Sequence, residues 1–251
     1  MLALAATLAA PAVASAKVSE LGAIPEGVRG ACPENCQAVS RTTGYQAKVG
    51  PDRTLYQAPA DGRIVAWTIA LGKPGPKQTA FFTERLGGES QAAVVVLSPG
   101  KKLVRQVVAK APLQRLTDYF GQTVQFPLEQ TLPIKQGQYV GLSVPSWAPA
   151  LQVGLASDTS WRASRAAEGC GDTATQSALV GSRASVAFAC LFKTARLTYS
   201  ATFIPSPVAE SAPAKAPATT APAPTTTTPP TTTTKPPPTT TPPTTTTPPR
   251  R

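Results

Sequence analysis

The sequence has no histidine among its 251 residues. That absence removes Ser-His-Asp and Cys-His catalysis, H-E-x-x-H zinc sites and histidine general bases. An enzyme built on this chain would have to use paired carboxylates, or Tyr, Lys and Arg chemistry. Acidic residues are scarce, 13 against 24 basic ones, giving a formal net charge of +11. From Lys17 to Pro205 there are 20 basic and 12 acidic residues, so a net +8 belongs to the part expected to fold. A basic surface attracts anionic polymers. The charges are scattered along the sequence, however, which also fits a plainly solvated surface. No D-x-D-x-D-G calcium loop and no L-P-x-T-G sorting signal is present.

No apolar run after residue 16 is long enough for a membrane helix, which needs about 20 residues. The first sixteen residues, "MLALAATLAAPAVASA", are apolar, uncharged and end in Ala14-Ser15-Ala16. They read as a signal peptide cleaved before Lys17. The segment lacks a basic n-region, so its true start is expected upstream of Met1. Secretion makes the four cysteines, Cys32, Cys36, Cys170 and Cys190, candidate disulfide partners. Three pairings are open, and closeness along the chain favours Cys32–Cys36 and Cys170–Cys190. In "CPENC" (32–36), Pro33 fixes φ and Asn35, the chain's sole asparagine, is able to take the left-handed region.

After the leader comes a polar lead-in over 17–30, then a region over 31–205 that holds all cysteines and tryptophans. That region reads as one all-β domain. "GRIVAWTIAL" (62–71) places Val65, Trp67, Ile69 and Leu71 on one face. "AAVVVLSPGKKLVRQVV" (92–108) reads as a hairpin around Ser98-Pro99-Gly100-Lys101. Further strands are expected at 123–128, 138–144, 151–156, 183–192 and 195–204, and Gly137 suits a turn with positive φ. The last strand alternates Leu197, Tyr199, Ala201 and Phe203 inward with Arg196, Thr198, Ser200 and Thr202 outward. Only 79–88 and 113–121 suggest short helices. This pattern predicts a two-sheet antiparallel β-sandwich of jelly-roll type. From 206 to 251 the chain is mostly Pro, Thr and Ala, with no large apolar residue beyond Val208, and reads as a disordered tail. At about 3.1 Å per residue, a polyproline II stretch of about 35 residues reaches on the order of 100 Å, a spacer or stalk. Its threonines are candidate O-glycosylation sites.

"VQFPLEQTLPIKQGQYVGLSVPSWAPAL", "DTSWRASR" and "ARLTYSATF" resemble segments of secreted actinobacterial proteins without an assigned activity. The resemblance covers most of residues 30–204. It implies a secreted β-sandwich and carries over no functional residue.

The candidate ligand site is a cluster around Trp147 in "VPSWAPA" and Trp161 in "DTSWRASR", both outside the expected strands, with Asp158, Arg162 and Arg165 beside Trp161. An indole face stacks on a sugar ring, while Arg and Asp hydrogen-bond hydroxyls or carboxylates. The competing reading is that each indole closes the core. A glycosidase would need two carboxylates facing one groove, and Glu84, Glu89, Asp118, Glu129 and Asp158 are the candidates. No spacing places them on one sheet face. Cys32 and Cys36 have zinc-site spacing but Cys170 and Cys190 do not; Asp158 and Asp172 lack a calcium loop. No metal or cofactor is expected, and nothing resembles a nucleic-acid stacking platform. The sequence thus points to a non-catalytic binding module for a glycan or anionic wall polymer. A His-independent carbohydrate-active enzyme and a purely structural surface protein are the alternatives.

Overall fold

The computed structural model describes residues 17–171, 181 and 183–207. The expected signal peptide (1–16), Asp172, and the tail beyond Pro207 lie outside the described residues.

In chain order, β1 (Ser19–Leu21), β2 (Val39–Lys48) and β3 (Gly62–Ala70) precede the helix α1 (Pro76–Arg85). Then come β4 (Gln91–Pro99), β5 (Val104–Lys110), β6 (Gln114–Arg115), β7 (Thr123–Ile134) and β8 (Tyr139–Ala148). β9 (Leu151–Val153), β10 (Ser160–Ala163), β11 (Ser185–Ala187), β12 (Cys190–Lys193), β13 (Ala195–Leu197) and β14 (Tyr199–Pro205) follow. The smaller sheet has the order β1-β14-β3-β7 and the larger β11-β5-β4-β8-β2-β10-β12, with β6 also paired to β4. β9 and β13 form a separate ribbon. The pairings are antiparallel, and the two sheets enclose the main core, as expected of a sandwich. The smaller sheet begins at Ser19, inside the segment read as a lead-in, because Glu20 pairs with Thr202.

β4 explains how the layers stack. Its run Ala92-Ala93-Val94-Val95-Val96-Leu97 is fully buried on both faces. Val94 and Val96 pack into the main core with Trp67, Leu142 and Tyr199. Val95 and Leu97 pack into a second core with Tyr45, Val107 and Phe188. That second core exists because the larger sheet curls. β11 and β12 sit at opposite ends of its strand order, yet only Phe188 and Ala189 separate them in sequence. Phe188 N–H donates to Leu103 O (3.0 Å) and Ala189 N–H to Arg165 O (3.1 Å), so this dipeptide joins the two edges. The Phe188 ring fills the curl, 5.4 Å from that of Tyr45.

Three local expectations change. In β3 a register shift between Ile64 and Ala66 turns Ile64 inward instead of Val65, while Trp67 and Ile69 face the core as expected. Residues 113–121 form β6 and a 3-10 turn rather than a helix, because Gln114 pairs with Ala92 and Leu116 N–H donates to Ser90 O (2.9 Å). Arg196, expected outward, is 5 % exposed and donates to Gly22 O (3.1 Å) and Ala23 O (2.7 Å). It belongs to β13, which pairs with β9 and not with the smaller sheet. Thr198 and Ser200, also expected outward, are buried as well, Thr198 Oγ1–H donating to Ala70 O (2.6 Å), and only Thr202 keeps partial exposure. Cys32–Cys36 and Cys170–Cys190 are both bonded, the pairing favoured by chain proximity.

Candidate functional site

The structure divides the five expected ligand residues. Trp147 lies within β8 and is 1 % exposed. Its ring sits between Phe82 of α1 (5.1 Å) and Phe120 (5.4 Å), and its Nε1–H donates to Gly88 O (2.9 Å). It is the core residue beneath α1, not a stacking surface. Arg162 and Trp161 are neighbours on β10, and adjacent strand residues face opposite sides. Arg162 turns toward the curl, where Nη1–H donates to Phe188 O and Ala189 O, both at 3.2 Å. It locks the edge-joining dipeptide. Asp158 is exposed on a turn beside Gly50.

Trp161 and Arg165 do come together. Both line a cleft of about 540 Å³ between the edge strand β12, the β9/β13 ribbon and the segment 35–40. Trp161 pairs directly with Phe192 and stacks on it at 4.6 Å and 21°. Trp161 is only 5 % exposed, so the accessible aromatic surface comes from half-buried Phe192, with the indole as its backing. Arg165 is 4 % exposed and spends its guanidinium on backbone: Nη2–H donates to Ser40 O (2.7 Å) and Nη1–H to Cys170 O (3.5 Å). It fastens the start of β2 to the disulfide-bonded Cys170.

The groups left for a ligand are ones the sequence did not single out as ligand contacts. Asn35 and Gln37 present exposed carboxamides on one wall, and Lys193 an exposed ammonium group at the end of β12. None of the three side chains has a hydrogen-bond or ion-pair partner among the described residues. Among the described lining residues none carries a carboxylate. The cleft thus offers an apolar ring face, two amide groups that donate and accept, and a positive charge. In the sequence, "CLFK" (190–193) reads as part of a longer strand. The cross-strand pairing to Trp161 is what gives Phe192 its meaning.

The five acids considered for hydrolysis are all exposed, and none lines this cleft. Glu84 pairs with Arg85 (3.5 Å) and Glu89 with Arg115 (2.9 Å). Among the described residues no group of three metal-ligating side chains converges. The phenols of Tyr45, Tyr56 and Tyr199, whose pKa values burial pushes up, lie in the two cores. No family model, curated protein or solved structure matches the chain.

Proposed function

We propose that this chain is a secreted, non-catalytic β-sandwich module that binds a glycan or anionic cell-envelope polymer through the Phe192 cleft, with the Pro/Thr-rich tail as its spacer. The carrying observation is the cleft itself: an aromatic pair flanked by unpartnered carboxamides and Lys193. The ring face of Phe192 accepts the apolar C–H face of a sugar, the amides take hydroxyls, and the lysine takes an acidic substituent. Two disulfides fit an oxidising compartment. The leader-like N-terminus and the resemblance to secreted actinobacterial proteins support the same placement. Among the described residues no helix is long and apolar enough to cross a membrane.

The test is calorimetric titration of the full chain with a polyuronate, a glycerol-phosphate polymer and dextran as neutral control. The acidic polymers are expected to bind more tightly than dextran and to weaken with salt. Phe192→Ala is expected to weaken binding about tenfold or more, the size of a lost stacking contact. Lys193→Glu is expected to act on the acidic polymers alone. Binding that both substitutions leave unchanged, or no binding to any of the three, refutes the proposal.

A further inference from the structure

The Cys32–Cys36 ring forms the end of the cleft wall, and its geometry gives it a role beyond a local staple. Asn35 is held inside the ring at φ 47, and its side chain lines the cleft. A non-glycine residue in the left-handed region is uncommon, and asparagine is among the few that accept it. The ring is also fixed to the body on several sides. Ala31 N–H donates to Leu151 O (2.9 Å), and Lys73 N–H donates to Cys32 O (3.3 Å). From α1, the Gln78 amide donates to Pro33 O (3.0 Å) while its Oε1 accepts from Gly75 N–H (2.7 Å) at the helix start. Gly72 lets the chain approach: a Cβ there would lie 2.8 Å from Cys32 N. Pro33, Glu34 and Asn35 nevertheless remain exposed. An exposed five-residue loop clamped by a disulfide, a helix side chain and two backbone bonds holds its outward residue in one orientation. Such a loop spends little entropy on binding.

We propose that the Cys32–Cys36 ring is a recognition element that presents the Asn35 carboxamide, together with Gln37, to a pair of hydroxyls on an acidic saccharide whose charge Lys193 meets. This deepens the cleft reading and rests on it. Asn35 sets specificity through its amide, which offers one acceptor and two donors. The disulfide acts through Asn35 and is a positioning device. The ligand class is therefore a uronic-acid or phosphorylated sugar with free adjacent hydroxyls, rather than an arbitrary polyanion.

The experiment compares three forms of the full chain against polygalacturonate and against polyacrylate, which has the charge without the hydroxyls. Asn35→Gly keeps the backbone conformation and deletes the amide. Cys32→Ser/Cys36→Ser keeps the amide and frees the ring. Each is expected to weaken polygalacturonate binding about five- to tenfold, about one hydrogen-bonded contact, and to leave polyacrylate binding unchanged. The near-ultraviolet circular dichroism of the tryptophans should remain that of the parent, which separates lost presentation from lost fold. Asn35→Gly guards against a serine variant that folds poorly. If the parent binds and loses affinity on Phe192→Ala but not on Asn35→Gly, the ring proposal falls and the cleft reading stands. If the parent binds neither polymer, both fall. Equal weakening toward polyacrylate and polygalacturonate overturns the hydroxyl assignment.

Discussion

The adjoining phenols Tyr56 and Tyr199 show how single residues tie this fold to solution conditions. Their rings lie 4.9 Å apart in the main core. Tyr56 donates to Tyr199 O (2.9 Å) and Tyr199 to Val140 O (2.9 Å). Burial raises both pKa values from the ordinary 10.0, Tyr199 well above it, since a phenolate there would lose its hydration and its donated bond. Arg196 partly offsets the shift for both. The folded values exceed the unfolded ones, so this stability is complete below about pH 10 and is lost as pH rises through the folded values. Alkaline titration followed at 295 nm should show these tyrosinates appearing together with the loss of β-sheet ellipticity. Their ionisation near pH 10 with the fold intact would contradict the burial argument.

Among the elements, legibility follows from whether a strand advertises its face. β3, the β4–β5 hairpin and β14 were readable because apolar residues alternate or run continuously in them. β2 was not, although it lies between β8 and β10 near the middle of the larger sheet. Its sequence, VSRTTGYQAK, is mostly polar, and its buried polar side chains are satisfied by hydrogen bonds to neighbouring segments, with only Val39 and Tyr45 in the apolar cores. Thr43 Oγ1–H donates to Ser143 Oγ (3.1 Å), and Thr42 Oγ1 meets Ser164 Oγ (3.2 Å). Gln46 accepts from Leu197 N–H (2.9 Å) and donates to Ser160 O (3.1 Å). Prolines punctuate "VPSWAPA", so in the sequence Trp147 reads as lying outside the strands. The strand runs through Pro145 because β8 itself is bulged there: Pro145 and Ser146 lie opposite Arg41 alone, between the Thr42–Val144 and Ser40–Trp147 pairs, where the ladder is interrupted. The candidate site was half legible for the same kind of reason. Trp161 and Arg165 stand out by type, but Asn35 and Lys193 converge only through tertiary pairing. The joining dipeptide between β11 and β12 makes its own prediction. Phe188→Ala should cost about 3–5 kcal/mol in urea unfolding, the range for truncating a buried phenylalanine. Hydrogen exchange should rise first in β11 and the facing part of β5. A cost below about 1 kcal/mol would mean that Phe188 does not hold the curl.

At the scale of the whole molecule, the two disulfides divide their work. Cys170–Cys190 spans a sequence separation of 20 and Cys32–Cys36 one of 4. In the chain-entropy picture the longer closure is worth about 3 kcal/mol and the shorter about 2. Cys170→Ser/Cys190→Ser should therefore lower Tm more than Cys32→Ser/Cys36→Ser, as differential scanning calorimetry would show. The reverse order would assign the stabilisation to native contacts instead of loop closure. The strand order carries a further consequence, for how the chain is made. Glu20 at one end of the described chain meets Thr202 near the other, and β2 finds its neighbours about a hundred residues downstream, as the Thr43–Ser143 bond shows. During vectorial synthesis the larger sheet cannot be completed until β12, ending at Lys193, has emerged, nor the smaller until β14, ending at Pro205. A ribosome delivers about 5–20 residues per second, so the early strands stay unpaired for on the order of ten seconds or more. The topology thus postpones closure of both sheets, an interval in which β1 and β2 remain without their final partners.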